Sequence, residues 1–412
     1  MKGGIYMAIF YLYIRRILIF IIITSSLVCF VKESYVAAET IDLNMYSGSY
    51  ALTDGDNDRL LVGKDADKPM ANASTTKILT CILVLEKCDL SDEVTISSKV
   101  ESQPKVRLGM KEGEVYPLKD LLYGLMLESY NDCAVAIAEH IAGTTENFAK
   151  MLNEKAKEIG CKDTYFITPN GLDEEDENGF HHTTANDLCR MMSYCAWESS
   201  KSLLFLEITQ TRNYSGTSNG KKYMFTNRNS FLNQMEGVLT GKTGFTNKAG
   251  YCYVAAMEQN GERYCIALLA CGWPNNKNYK WQDAKTLFEY GLSNYDKKRV
   301  RINRIEKQIT LDGHIGNSDF ININQGSKIT VGTDRKVYDL LLNNDEKIVV
   351  DIIVYKNINL PIEEGKVVGI CNLYIDNQLF DSIALKTKEN IYIWGWEDLF
   401  STIFYHFLTF SL

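Results

Sequence analysis

The chain has 412 residues, 45% of them hydrophobic, with a net charge of −8 and an isoelectric point near 5.4. That length exceeds one ordinary domain, so two or three globular units with sizeable cores are expected. Excess acid without a dense Lys/Arg stripe excludes nucleic acid as a partner.

Lys2, Arg15 and Arg16 precede or open the apolar stretch "ILIFIIITSSLVCFV", and "YVAAET" supplies small residues for cleavage after Ala38. A basic start, an apolar run and a small-residue site define residues 1–38 as a secretory signal, with an uncleaved anchor as the alternative. Both readings put the remainder outside the cytoplasm.

Residues 39–70 alternate polar and apolar with turn residues, as a hairpin does. Helical patterns follow at 75–87, 117–127, 131–142, 145–159 and 185–196. Strands resume at "KYMFTN" and in "AGYCYVAAMEQNGERYCIALLACG", where "QNGE" separates two β-rich runs as an antiparallel hairpin. The helix "WQDAKTLFEYGLSNY" closes this block near residue 295. Helices in the middle and strands at both ends predict an α/β (α+β) domain over 39–298. Its first and last strands meet in one antiparallel sheet flanked by helices.

From 299 to 388 short β-type runs alternate with Gly/Asn/Asp turns, the pattern of a small all-β domain. Residues 389–412 are aromatic-rich, with Trp396, Leu399, Phe400, Ile403, Phe404, Phe407 and Phe410 near one helical face. Only 14 residues follow Asp398, short of the roughly 20 that a membrane span needs. The tail therefore reads as an amphipathic helix lying on the membrane surface, with docking against the protein as the alternative.

Eleven cysteines, one of them in the signal, show no framework of spacings, so buried thiols are expected rather than disulfides. Five scattered histidines offer no metal set, and no cofactor is expected.

Ser-x-x-Lys occurs three times: Ser74/Lys77, Ser102/Lys105 and Ser218/Lys221. Pro104 breaks a helix in the second copy, and Gly220 marks a turn in the third. Only "STTKILTCILVLEK" leads into a sustained helical pattern, which brings Lys77 onto the same face as the Ser74 hydroxyl. Two further triplets follow it: Ser129-Tyr130-Asn131 between helical runs, and Lys242-Thr243-Gly244 at the start of a strand.

A serine hydroxyl is a weak nucleophile and needs a base within hydrogen-bond reach. Lys77 serves if its amine is neutral, and burial, the cation of Lys242 and the helix dipole all favour that. Gly244 lets a strand approach a ligand closely. Backbone N–H groups of Ser74 and Phe245 then bind an oxyanion. In the second triplet the Ser129 hydroxyl can relay a proton and the Asn131 amide can hold a polar group of a ligand. Each motif alone has a bland reading as a cap, a turn or a solvated strand end; three in this order do not.

With "ASTTKILT", "SYNDCAVAIAEHIAG", "FITPNGLDEEDENGFHHTTANDL", "TNRNSFL" and "GKTGFTNKAGYCYVAA", the sequence resembles the D-alanyl-D-alanine carboxypeptidases. These are low-molecular-mass penicillin-binding proteins of serine-peptidase type. The resemblance runs from about residue 40 to 388 and implies a β-lactamase/transpeptidase-like fold, a small β domain and a membrane-associated tail.

It implies that the terminal D-alanine is removed from peptidoglycan stem peptides ending in D-Ala-D-Ala through an acyl-enzyme, and that β-lactams are covalent inhibitors. Ser74 corresponds to the nucleophile and Lys77 to the base. Ser129 and Asn131 fill the second motif, and Lys242, Thr243 and Gly244 the third. The substrate carboxylate is received by Thr243 with a basic residue, for which Arg228 and Lys280 are candidates. Lysine at 280, where relatives often carry arginine, lacks the planar fork. Leu239 stands where relatives commonly carry an acidic residue.

A class A-like β-lactamase uses the same motifs but needs a deacylating glutamate in a Glu-x-x-Leu-Asn context, which "TPNGLDEEDENGF" does not supply. A non-catalytic wall-binding protein is opposed by the intact motifs, and endopeptidase action on D,D cross-links uses the same site. His181 and Asp187 are assigned to loop structure, since a lysine already serves Ser74.

Overall fold

The computed structural model describes residues 43–302, 305–311, 327–355, 358, 361–390, 400, 404 and 405. The signal segment 1–38 lies outside the described residues. So does the tail 389–412, apart from Glu389, Asn390 and three exposed residues, Phe400, Phe404 and Tyr405. No helix among the described residues is long and apolar enough to cross a membrane.

The runs "CYVAAM" and "CIALL" lack polar alternation because both of their faces are covered. Strands Leu60–Lys64, Ser49–Asp54, Glu262–Leu269, Gly250–Gln259 and Val238–Thr246 form one antiparallel sheet in that order. Ser49 pairs with Leu269 and Asp54 with Tyr264, so the first and last strands of the block meet as expected. Cys252, Val254 and Ala256 point into one apolar cluster, and Tyr253, Ala255 and Met257 into the other. The expected hairpin closes at Asn260-Gly261, both with positive φ, the two-residue turn that matches strand twist.

One face of the sheet carries the helical layer, and the other carries the helix Tyr279–Asn294. In helix Lys77–Lys87 every residue from 77 to 85 is buried. A helix that is apolar all round runs through a core rather than over it, so its first residue, Lys77, starts inside the protein. Helices Asn131–Ala142, Thr145–Glu158 and Ala185–Ser193 match their expected positions.

The helix Ser202–Gln210 was not expected. Its consecutive "LLFL" shows neither period, and Leu203 is exposed while Phe205 and Ile208 are buried. Ser102 follows a short helix, Ser98–Glu101, and Ser218 precedes the Asn219-Gly220 turn, so neither decoy Ser-x-x-Lys has a helix behind it.

Strands Glu306–Leu311, Ser327–Gly332, Gln378–Thr387, Val367–Ile375 and Ile348–Val354 make a second five-stranded sheet. Two further strands, Asp296–Ile302 and Lys336–Leu342, pair with each other. The first spans the 298/299 boundary. Its "DKKRVRI" looks charged, but Val300 and Ile302 alternate inward to meet Cys371 and Leu373. Lys336–Leu342 docks on the hairpin of strands Ser49–Asp54 and Leu60–Lys64. The buried Asp54 carboxylate accepts from Leu341 N–H at 2.9 Å, Arg59 bonds the Leu341 carbonyl and Glu346, and the Leu341 side chain joins the cluster of Leu52 and Tyr264. All ten described cysteines are free thiols, eight of them buried.

The loop after Thr145–Glu158 is pinned to the start of the Lys77 helix by His181. Its Nδ1 accepts from the N–H groups of Ile167 and Thr168 at 3.0 and 3.3 Å. Nε2 therefore carries the proton and donates to Thr76 Oγ1 at 2.9 Å. Burial, aided by His182 and Lys77, pushes the imidazole pKa down to about 3. Asp187 accepts from Lys162 N–H, Asp163 N–H and the Thr164 hydroxyl, a loop role like that of His181.

Two measurements follow from this packing. Leu341→Ala should cost about 3 kcal/mol by urea unfolding, the usual loss for a buried leucine. The unfolded chain protonates His181 near pH 6.5 while the folded chain resists until about 3, so the group's contribution to stability is lost as pH falls through that window. Between pH 7 and 5 the parent should lose about 2 kcal/mol more than His181→Gln. Equal losses would place the histidine in solvent.

Candidate active site

Ser74 lies in the 3₁₀ turn Ala73–Thr76 that leads directly into helix Lys77–Lys87. The turn begins strained, because Ala73 has φ +49°, a left-handed conformation that costs a residue with a Cβ roughly 1–2 kcal/mol. Asn72 holds it by donating to the hydroxyls of Thr75 and Thr76 at 3.0 and 2.9 Å.

Lys77 Nζ sits 2.7 Å from Ser74 Oγ, 3.1 Å from Asn131 Oδ1 and 2.6 Å from the Asn170 carbonyl, with the residue fully buried. Among the described residues none of these partners is a carboxylate. The adjacent Asp132 turns its oxygens to the N–H groups of Leu108 and Gly109 instead.

Ser129 ends the π-helical turn Gly124–Glu128 and also sits left-handed, at φ +64°. Its hydroxyl accepts from Lys242 Nζ at 2.8 Å, and that amine also donates to the Thr243 carbonyl at 2.9 Å. The Lys-Thr-Gly triplet was expected at the start of a strand. It lies in the later half of Val238–Thr246, because the strand begins four residues earlier at Val238.

Gly244 is required by close approach. A Cβ there would stand 3.0 Å from Ser74 N, Asn72 O and Ala73 Cβ, so the strand runs against the nucleophile turn. The next residue, Phe245, is 39% exposed and packs on Tyr251. Ser74, Lys77, Ser129, Asn131, Lys242 and Gly244 thus share one locale, with Thr243 and Phe245 on the adjoining strand.

Burial drives the Lys77 amine well below the ordinary lysine range, and the charge of Lys242 drives it further. Lys242 is itself lowered to about 7 by burial and by Arg228. Arg228 stands near Lys242, its Nε bonded to Glu128 at 2.6 Å. Lys280 is turned into an aromatic box, its Nζ 4.7 Å from the Tyr251 ring centre and 4.6 Å from that of Trp281, and it bonds the Lys277 carbonyl. Burial lowers it to about 8.

The sequence reading missed two contributors. Asn170 acts through its carbonyl, held in place because Gly171 at φ +81° presses on the Ala73 carbonyl, where a Cβ would come within 1.9 Å. The turn sequence Pro-Asn-Gly was the available signal. Glu128 precedes the second motif and binds a residue 100 positions away. No group of three or more potential metal ligands occurs among the described residues.

This is a serine whose hydroxyl faces a desolvated amine, with a second amine and hydroxyl across from it: the parts of a nucleophile with its own base and a proton relay. The family model described as D-alanyl-D-alanine carboxypeptidase matches residues 35–270. D-alanyl-D-alanine carboxypeptidase DacF of Bacillus subtilis is 28% identical over 92% of this chain and 95% of its own length. DacB2 of Mycobacterium tuberculosis is 30% identical over 60% of this chain and 82% of its own. In fold, penicillin-binding protein 5 of Haemophilus influenzae superposes with a TM-score of 0.64 at 22% identity, covering 84% of this chain and 98% of that one. The chain belongs to the D-alanyl-D-alanine carboxypeptidase family, serine-type enzymes among the low-molecular-mass penicillin-binding proteins.

Proposed function

We propose that this protein removes the terminal D-alanine from peptidoglycan stem peptides through an acyl-enzyme on Ser74, and that β-lactams acylate the same oxygen. The observation that carries the reading is the 2.7 Å contact between Ser74 Oγ and a fully buried Lys77 amine with no carboxylate partner among the described residues.

In this reaction neutral Lys77 takes the hydroxyl proton as Ser74 Oγ bonds to the penultimate D-alanine carbonyl carbon. The developing oxyanion is held by the N–H groups of Ser74 and Phe245, worth roughly 3–4 kcal/mol per donor in comparable sites. As the C–N bond breaks, the leaving amine receives a proton through Ser129 and Lys242, and D-alanine departs. Lys77, neutral again once its proton has passed to the leaving amine, then takes a proton from the water that attacks the ester, and passes it to Ser74 Oγ as the ester bond breaks and the shortened peptide leaves. Asn131 orients the scissile amide. Thr243 and Arg228 receive the departing carboxylate, while the Lys280 amine lies against the Tyr251 and Trp281 rings.

The reading also assigns the chemistry to residues 39–298, with 299–388 as a β-rich second domain. It puts the protein on the outer face of the cytoplasmic membrane, on the strength of the 1–38 signal pattern and the amphipathic 389–412 tail.

A β-lactamase reading finds less support. Asp173, Glu174, Glu175, Asp176 and Glu177 are all exposed, and the group facing Ser74 and Lys77 from that loop is the Asn170 carbonyl. A carbonyl activates no deacylating water.

Mass spectrometry with a diacylated Lys-D-Ala-D-Ala peptide should show loss of one D-alanine, and with penicillin a stable covalent adduct. Ser74→Ala should show neither, and Lys77→Met should slow acylation by about 10³-fold, within the usual range for loss of a general base. An unmodified parent protein would overturn the assignment.

The pH dependence has a definite sign. Lys77 is active when neutral, so acylation rises with pH through its lowered pKa. Lys242→Gln removes a neighbouring cation, raises the Lys77 pKa and should move the acid limb of the acylation profile to higher pH. A limb that stays in place would show that the two amines are not coupled.

A further inference from the structure

The segment after strand Lys221–Thr226 passes beside the π turn and is fastened to it at three points. Arg228 N–H donates to the Leu127 carbonyl at 3.1 Å. Thr226 N–H donates to Glu128 Oε1 at 2.9 Å, and Arg228 Nε donates to Glu128 Oε2 at 2.6 Å. One carboxylate therefore fixes both the backbone and the guanidinium of the same segment. Glu128 is 8% exposed, whereas the Arg228 side chain is 59% exposed. The acid is built into the wall, and the arginine projects from it into solvent.

Glu128 engages Nε, the nitrogen nearest the stem. The terminal fork is the part of a guanidinium that matches a carboxylate in bidentate fashion. An arginine held at Nε loses much of its rotamer freedom, so less entropy is lost when the fork closes on a ligand. The next residue along the chain is Ser129, and the Arg228 charge reaches Lys242. Arg228 is therefore held beside the Ser129 and Lys242 pair, where the departing D-alanine carboxylate lies in the proposed reaction.

We propose that Glu128 is a positioning residue for substrate recognition: it orients Arg228 so that the free terminal nitrogens receive the C-terminal carboxylate of the peptide. The proposal rests on the carboxypeptidase reading. It also makes Arg228, rather than the boxed Lys280, the principal cation for that carboxylate.

Glu128→Gln is the sharp variant, because the amide oxygen can still accept from Thr226 N–H while the charge toward Arg228 is lost. Kinetics on the diacylated Lys-D-Ala-D-Ala peptide should show KM rising about ten-fold with kcat within about two-fold, the mark of lost ground-state binding. Arg228→Gln should raise KM at least as much, and the double variant no more than Arg228→Gln alone, since one residue acts through the other. The parent should prefer the free carboxylate over the C-terminal amide of the same peptide, and both single variants should lose that preference. Thermal unfolding of each variant separates folding damage from lost recognition.

An active parent with an unchanged KM in Glu128→Gln, or losses that add in the double variant, overturns the inference alone. A parent that releases no D-alanine overturns the carboxypeptidase reading itself. If Glu128→Gln fails to fold, Arg228→Gln still decides: retained preference for the carboxylate over the amide overturns the proposal, and its loss supports it.

Discussion

The structure turns on a lysine placed where a charge is costly. Helix Lys77–Lys87 is buried on every side through Leu85, and its first side chain ends in a pocket of amide, carbonyl and hydroxyl groups. An ionised amine there would need a carboxylate partner to offset desolvation. Among the described residues none is supplied: Asp132, one residue beyond the Asn131 that contacts Nζ, is spent on the backbone of Leu108 and Gly109. The second lysine, Lys242, adds repulsion. The cheapest state is a neutral amine beside a hydroxyl, the form that the proposed reaction requires of its general base. Reactivity here is a consequence of packing rather than of any unusual residue.

That same logic explains which parts of the site could be read without coordinates. Ser74, Lys77, Ser129, Asn131 and Lys242 act through side chains whose types and short spacings are visible in the chain, and the apolar run after Lys77 already said that the helix is central. Asn170 acts through its carbonyl, a group that every residue has, so no residue type betrays it. Glu128 has a partner 100 positions away and became meaningful only once strand Lys221–Thr226 was seen to end beside the π turn. Lys280 was a candidate by position in sequence. Its amine lies against two aromatic rings, a contact that spacing does not encode.

The fold was legible to a similar degree and for similar reasons. Strands covered on both faces announced themselves as unbroken apolar runs, and the Asn260-Gly261 turn fixed their hairpin. The strands Asp296–Ile302 and Lys336–Leu342 were harder to see, because the first is mostly charged with one face in solvent, and the second starts exposed before its three buried leucines. Their pairing matters for the catalytic part, since Lys336–Leu342 brings Leu341 into the cluster beneath Leu52 and Tyr264. The Asp54 carboxylate accepts from its backbone at the same point. The β-rich region thus completes the core on the far side of the sheet from Ser74.

Two residues with side chains, Ala73 and Ser129, are held left-handed on either side of the reacting atoms. Glycine would relieve both, and its absence is informative. At Ala73 the conformation swings the Ser74 turn against strand Val238–Thr246, where a Cβ on Gly244 would stand only 3.0 Å from Ser74 N. At Ser129 it brings the hydroxyl to Lys242 instead of letting the π turn continue as helix. Strain of this kind persists only where the surroundings over-determine the backbone. Here the surroundings are Asn72 bracing the first turn, the Gly171 contact behind it, and Glu128 fastening the turn that ends at Ser129. The stability given up at these two positions holds three segments, distant in sequence, at hydrogen-bonding range of one another.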